Sequence, residues 1–247
     1  MIPLYYDLHM HSCLSPCGDD DMTPANLVGM AAVKGLDVIA LTDHNSCRNC
    51  TAAMKHGEEY GVIVIPGMEL TTSEEVHVVC LFPTLDDALS FDAYVYDHIL
   101  PIKNKEHIFG RQQIMDKEDH VTGNVERLLI SATDISFDRI FALVSSYHGI
   151  AYPAHIDKTT TSLLSNLGFV PPDSTFLCAE IHNMGNLHRI QKEHPYFLQC
   201  NIVSSSDAHY LEDINEPYYQ LYSESRSIPD ILAALLRRTW RYFSRKR

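Results

Sequence analysis

Near the N-terminus, the run Leu4-Tyr5-Tyr6-Asp7-Leu8-His9-Met10-His11 joins strand-forming residues to two histidines spaced i, i+2. On an extended backbone, side chains two residues apart point to the same side. His9 and His11 can therefore both present imidazole nitrogens to one metal ion. An HxH pair alone does not make a site, and the remainder of the chain decides the question.

After a small-residue, acidic loop from Cys13 to Asp21, Thr23-Pro24 reads as an N-cap followed by Pro at the first helical position. This predicts a helix from Ala25 to Lys34 closed by Gly35. Val38 to Thr42 reads as a buried strand running into Asp43-His44-Asn45. A helix from Cys50 to Tyr60, a strand from Val62 to Ile65 and a turn at Pro66-Gly67-Met68-Glu69 follow. Val76 to Phe82 is a further strand. Residues 86–131 read as mostly helical, with the polar middle from Lys103 to His120 as an exposed helical insertion. A helix from Ser136 to Tyr147 precedes the strand Ile150 to Ala154, which delivers His155. Phe176 to Asn183 and Asn201 to Ser205 are strands, the second delivering Ser206-Asp207-Ala208-His209. An amphipathic helix from Ile228 to about Tyr242 and a solvated basic tail close the chain.

Strands and helices alternate about seven times, with no repeat or linker to mark a second domain, so residues 1–247 are expected to form one closed or nearly closed parallel α/β barrel. In such a barrel functional side chains gather at the C-terminal ends of the strands. His9 and His11 fall after the first strand, Asp43 and His44 after the second, Glu69 after the third, His155 after a later one, and Asp207 and His209 after the last.

Composition narrows the partners. The formal net charge of −13 repels polynucleotides and anionic membranes, which favours a small substrate and makes polymeric nucleic acid an unlikely partner. The sequence shows neither a basic-then-apolar leader nor an apolar run of membrane-spanning length, which predicts a cytoplasmic protein without membrane contact. Seven cysteines, an odd set, argue against a disulfide framework. The Cys47-Arg48-Asn49-Cys50 pair together with Cys13 and Cys17 reads as unconnected thiols rather than a four-thiolate zinc site.

His9-Met10-His11, Thr42-Asp43-His44, Gly67-Met68-Glu69, Ala154-His155 and Ser206-Asp207-Ala208-His209 are each weak motifs but specific together. With them in this order over nearly the whole chain, the sequence resembles the PHP family, the polymerase and histidinol phosphatase domain, and especially its stand-alone metal-dependent phosphoesterases. The resemblance implies a distorted (β/α)7 TIM-like barrel holding two or three divalent metal ions at the C-terminal ends of its strands. Carried over by motif, His9, His11, Glu69 and Asp207 would hold one ion. Glu69 would bridge to a second, bound also by His155 and His77. His44 and His209 would hold a third with a residue of the first loop. That loop departs from the family's usual Ser-Asp-Gly, having Ser15-Pro16-Cys17-Gly18-Asp19. Hardness favours Asp19 if the ion is Mn, and Cys17 if it is Zn.

The expected activity is metal-dependent hydrolysis of a small phosphorylated metabolite by a metal-bridged hydroxide, with Mn, Fe or Zn suited to mixed imidazole and carboxylate ligands. Glu69 and Asp207 are the carboxylates at the reacting centre. Asp43 is a candidate to orient a ligand or move protons. Lys158, Arg48 and Arg189 are candidates to bind the phosphate. The alternatives are a histidinol-phosphate phosphatase, a nuclease on short oligonucleotides, and a non-catalytic metal-binding regulatory module.

Overall fold

The computed structural model describes residues 1–237 and 243–245. The first two βα units form as the sequence predicts. Strand β1 (Ile2–Asp7) is followed by helix α1 (Pro24–Lys34), whose Thr23 cap accepts the Asn26 N–H and whose end is set by Gly35 at φ 81°. Strand β2 (Val38–Leu41) leads to α2 (Cys50–Tyr60) and then to β3 (Ile63–Thr71). The three strands are parallel, with Tyr6 opposite Val38 and Ile39 opposite Val64.

From β3 onward the architecture leaves the simple alternation. The Pro66-Gly67 pair, expected as a turn, lies inside β3, which runs on to Thr71. Pro66 is paired with the last residue of β2, and Gly67 crosses so close to the next strand that a Cβ would stand 2.5 Å from the Cys80 carbonyl. Beyond this crossing Glu69 continues as strand residue, not turn residue. Strand β4 (His77–Leu81) then returns antiparallel to β3, Thr71 opposite His77. Only five residues separate the two strands, too few for the crossover that a parallel neighbour needs.

Residues 86–131 also differ from expectation. Helix α3 (Leu85–His98) fills the first part, but only the single turn α4 (Glu106–Phe109) is helical in the polar middle, which ends in a hairpin of β5 (Gln113–Met115) and β6 (Val121–Asn124). The turn residues Asp116 to Asp119 explain the change. Asp116 Oδ1 accepts the Glu118 and His120 N–H groups, and Asp119 adopts φ 57°, which favours a turn over a continuing helix.

Helix α5 (Phe137–Ser146) leads to β7 (Ile150–Pro153), antiparallel to β4 and therefore parallel to β3. After the short α6 (Leu163–Asn166), strands β8 (Cys178–Glu180) and β9 (Asn201–Val203) form a parallel pair across α7 (Leu187–Glu193). The pair is tied to β7's end by the Ile156 N–H on the Glu180 carbonyl (2.8 Å) and to β1's end by the Asp207 N–H on the His9 carbonyl (2.9 Å). Strand β10 (Tyr219–Ser223) adds antiparallel to the edge of β1, helix α8 (Ile228–Leu236) follows, and β11 (Phe243–Arg245) pairs with β10. The result is a curled α/β sheet consistent with a distorted TIM-like barrel. A strict (β/α)7 alternation is not reproduced, because β4 and β10 are antiparallel additions. The expected continuation of the last helix to Tyr242, and the basic tail, lie largely outside the described residues.

Alternate strand residues divide between two cores. Leu4, Tyr6 and Leu8 of the first strand segment meet Val38, Ala40, Ile65, Val79 and Tyr152 inside the curl, while Ile39, Leu41, Val64 and Val78 pack outward with α1, α2, α3 and α5. Helix α8 covers the N-terminal end of the strands, its Ile231, Leu232 and Leu235 joining the inner core beside Leu4 and Leu221. Met10 belongs to the outer core although Leu8 belongs to the inner one. The alternation therefore shifts by one just after β1, and that shift turns His9 and His11 inward at the opposite end.

Candidate metal centre

At that opposite end, five imidazoles surround one buried carboxylate. Glu69 Oε1 lies 2.8 Å from His77 Nδ1, 3.0 Å from His155 Nε2 and 3.2 Å from His9 Nε2, and Oε2 lies 3.0 Å from His44 Nδ1 and 3.4 Å from His11 Nε2. Asp207 Oδ1 approaches His11 Nε2 at 3.2 Å and His9 Nε2 at 3.4 Å. His77 starts β4 rather than ending a strand, and reaches the group because that strand runs backwards. The backbone bends to meet the same demand: His155 and Asp207 hold φ of 27° and 54°.

The rings are aimed from behind. Both oxygens of Glu180 bracket His9 Nδ1 at 3.0 and 3.1 Å, and Oε1 also accepts the His155 N–H. Ser15 Oγ meets His11 Nδ1 at 3.0 Å and donates to Asp43 Oδ1 at 2.7 Å. The Asp207 carbonyl accepts His209 Nδ1–H at 2.8 Å. In each case the outer nitrogen is engaged and Nε2 is left facing the centre, the arrangement of an imidazole prepared to ligate.

Electrostatics follow from this packing. Burial would push the Glu69 and Asp207 carboxyls up, yet the facing imidazoles hold both well below the usual range. Against the effect of burial, Glu180, Glu69 and Asp207 draw His9 well above its ordinary value. Burial together with His209 and His44 drives its neighbour His11 well below. Burial would also raise the Cys17 thiol, but His44 and His209 bring it down to about 6.

The residues fit divalent ions on their own chemistry. His9 Nε2 and His11 Nε2 face each other at 3.3 Å, and the buried His155 Nδ1 lacks a hydrogen-bond partner. One carboxylate cannot satisfy five imidazoles, whereas shared cations can. Among the described residues, three groups have ligand atoms within 4.8 Å of one another: His9, His11, Glu69 and Asp207; His44, Glu69 and His77; and His11, His44 and His209.

Other expected residues stand apart from the centre. Asp43 accepts from Ser12 N, Ser12 Oγ and Ser15 Oγ, and touches the group only through Ser15. An oxygen of Asp19 accepts the Asp21 N–H, while Cys17 Sγ, two residues earlier, lies 3.1 Å from His209 Nε2. Lys158 Nζ is bonded to Asp207 Oδ2. Arg48 is held by Asp92 and lies over the Tyr96 ring, and Arg189 pairs with Glu193 on α7. Glu180 and Ser15 were missed by sequence reasoning. A single acidic residue inside the apolar run Phe176 to Ile181 was the available signal for Glu180. Beside the centre, a cavity of about 500 Å³ is lined by Lys158, His182, Ser204, Ser205, Ser206, Asp207, Asp213, Asn215, Tyr218 and Tyr219.

Comparison with known proteins places this geometry. The PHP domain model matches residues 7–225. A 5'-3' exoribonuclease of Haemophilus influenzae is 37% identical over 79 residues, covering 31% of this chain and 28% of the relative. A phosphoribosyl 1,2-cyclic phosphate 1,2-diphosphodiesterase of Eggerthella lenta is 34% identical over 80 residues, covering 30% and 29%. The chain thus spans less than half the length of the curated relatives it matches. Endonuclease Q from Pyrococcus furiosus covers 95% of this chain and 56% of its own at 18% identity and a TM-score of 0.66, a likeness of fold alone. Endonuclease Q has also been solved in complex with a 27-mer duplex containing an abasic lesion at the active site. These findings overturn the expectation that polymeric nucleic acid is an unlikely partner. Net charge summed over a chain does not set the local field at a mouth built to take up cations. Among the described residues, no helix is long and apolar enough to cross a membrane.

Proposed function

The chain belongs to the PHP domain family, and from that premise we propose that it is a divalent-metal-dependent phosphoester hydrolase. The observation that carries this reading is Glu69 within 3.4 Å of five histidines. His9, His11, Glu69 and Asp207 would hold one ion, and His44, Glu69 and His77, with His155 beside them, a second. Divalent ions bound there supply Lewis acidity for phosphoryl oxygens and acidify a water as nucleophile.

The protein's own groups do the positioning. Glu180 and Ser15 fix the faces of His9 and His11, and Asp43 acts behind Ser15 as a positioning residue. Lys158, half-buried on Asp207, is the cation that can turn to a phosphate oxygen, while Arg48 and Arg189 are engaged elsewhere. The neighbouring cavity is of a size that takes a small organic group, so the first reading of the substrate is a small phosphorylated compound. The relatives named as exoribonucleases favour a second, the end of a short nucleic-acid strand.

Turnover of a panel of sugar phosphates, nucleoside monophosphates, a cyclic phosphodiester and a short oligonucleotide, by protein loaded with Mn, Fe or Zn, tests the proposal. Hydrolysis of a monoester alone selects the first reading and release of nucleotides from the oligonucleotide the second. No turnover with any ion on any substrate rejects the hydrolase and leaves a metal-binding module.

A further inference from the structure

The cavity of about 500 Å³ beside the centre opens directly onto it, because Asp207 belongs to both: its Oδ1 lies 3.2 Å from His11 Nε2, and its Oδ2 is bonded to Lys158 Nζ in the cavity wall. The backbone of the other walls is held from behind. Asp7 accepts the Ser206 and Asn215 N–H groups at 2.9 and 3.1 Å, the Tyr6 hydroxyl accepts the Ser204 N–H at 3.4 Å, and Asp157 accepts the His182 N–H at 2.7 Å. Asp213 ends the single turn Leu211–Asp213 and donates its N–H to the Tyr210 carbonyl at 3.1 Å.

On these fixed segments the side chains are left bare. Among the described residues, the Ser204 hydroxyl, the Asp213 carboxylate and the Asn215 amide have neither a hydrogen-bond partner nor an ion pair, and all three line the cavity. Lys158 is the only lysine or arginine in the lining, and it is occupied with Asp207 at the metal end. The rest of the wall therefore offers a charged acceptor, an amide and a hydroxyl, with no cation to balance a second anion. A hydrocarbon chain laid over these groups would strip their water and return nothing, whereas hydroxyl groups both donate and accept and so replace it.

Resting on the reading of this mouth as a phosphoester site, we propose that the cavity holds a polyhydroxylated part of the substrate, so that the protein selects phosphate esters of sugars, and that Asp213 is the residue that determines the choice. The phosphoryl group lies at the end marked by Lys158 and Asp207. Sugar hydroxyls donate to the Asp213 carboxylate and exchange hydrogen bonds with Ser204 Oγ and the Asn215 amide. The two oxygens of a carboxylate can accept from two neighbouring hydroxyls at once, which makes a ring with vicinal hydroxyls the best fit. That chemistry is shared by a free sugar and by the ribose of a nucleotide. In the second case the base would lie against Tyr218, whose ring lines the cavity and is 48% exposed.

Calorimetric binding of non-hydrolysable phosphonates to the metal-loaded full-length protein tests this without depending on turnover. The methylene phosphonate analogue of ribose 5-phosphate should bind about 10–100-fold more tightly than butylphosphonate, the gain expected from hydrogen bonds to a charged acceptor. Asp213→Ala should remove most of that preference, and Asp213→Asn, which keeps an acceptor without the charge, should retain part of it. An adenosine phosphonate that binds no more tightly than the ribose compound supports the proposal with a free sugar as the source, and one that binds more tightly supports it with a nucleotide. Equal binding of the ribose and butyl compounds, binding of neither, or a preference that survives Asp213→Ala overturns it, while turnover of phosphate esters would still uphold the hydrolase. Selective binding without turnover of any ester upholds the sugar-binding cavity and rejects the hydrolase.

Discussion

The two ends of the curled sheet are built from the same strands and solve opposite problems. At the N-terminal end, Leu4 and Leu221 close against Ile231, Leu232 and Leu235 of α8, and Asn201 Nδ2 satisfies the Leu235 and Arg237 carbonyls at 2.7 Å. Each apolar side chain buried there contributes about 1.5–3 kcal/mol. At the other end, just beyond β1, His9 and His11 are equally buried but face Glu69, Asp207 and one another. Burying such groups costs several kcal/mol per charge unless each is paired. One end is complete in the polypeptide, and the other offers ligands that shared cations could complete.

Two substitutions set the ends against each other. Glu69→Gln removes the charge on which five imidazoles converge. It should lower kcat/KM of the metal-loaded protein by about 10³-fold or more, the loss expected when several kcal/mol of transition-state stabilisation depends on the ions. Metal content measured on the same preparation should fall with it. A variant that keeps its ions and most of its activity would remove the case for the mouth. Leu235→Ala acts on the closed end and should cost about 2–5 kcal/mol in denaturant unfolding, with or without metal, and leave kcat unchanged. If its cost appeared only in the metal-free protein, the two ends would not be independent.

The difference also explains what was legible in the sequence. Histidine and carboxylate motifs at the ends of apolar runs are local patterns, so His9, His11, His44, Glu69, His155, Asp207 and His209 could be read from the chain, and the fold brings them together. Helix α2 was equally local, with Gly61 at its end. What was not legible depends on partners distant in sequence. Glu180 acts on His9 from 171 positions away, and only the adjacency of β8 to the barrel mouth reveals it. The direction of β4 depends on a link too short for a crossover, which a count of strands and helices conceals. In the polar segment after α3, the Asp116 and Asp119 turn outweighs helical composition. Between Asp19 and Cys17 the choice rests on a loop conformation that residue type alone cannot give.

Glu180→Gln sharpens the comparison from behind the His9 ring. It keeps the shape and an acceptor for His9 Nδ1–H but loses the charge that supports the ring. Metal affinity should fall about 10–100-fold, a typical effect of removing an outer hydrogen-bond partner of a ligating histidine. Titration with a competing chelator measures it, and affinity equal to the unaltered protein would show that the contact is only packing.

A pH-dependent effect is expected at the boundary between the two ends, where Asp7 closes β1. Its carboxylate is fully buried and accepts N–H groups from Ser206 at 2.9 Å and Asn215 at 3.1 Å, with no cation against it among the described residues. Burial pushes its carboxyl from the ordinary 3.8 up to about 6, against the effect of those hydrogen bonds. The folded protein therefore holds this proton more tightly than the unfolded chain does. Stability contributed by Asp7 is fully present below about pH 4 and is lost as pH rises to 6, because the native state then carries an uncompensated buried charge. Asp7→Asn fixes the uncharged form and should flatten this part of the stability profile. The difference between the two proteins should shift in favour of the asparagine variant as pH rises from 4 to 7, measured by urea unfolding without metal. A difference that stays constant across that range would mean that the carboxylate is ionised throughout, and that the polar character of the mouth extends below His9 into the strand itself.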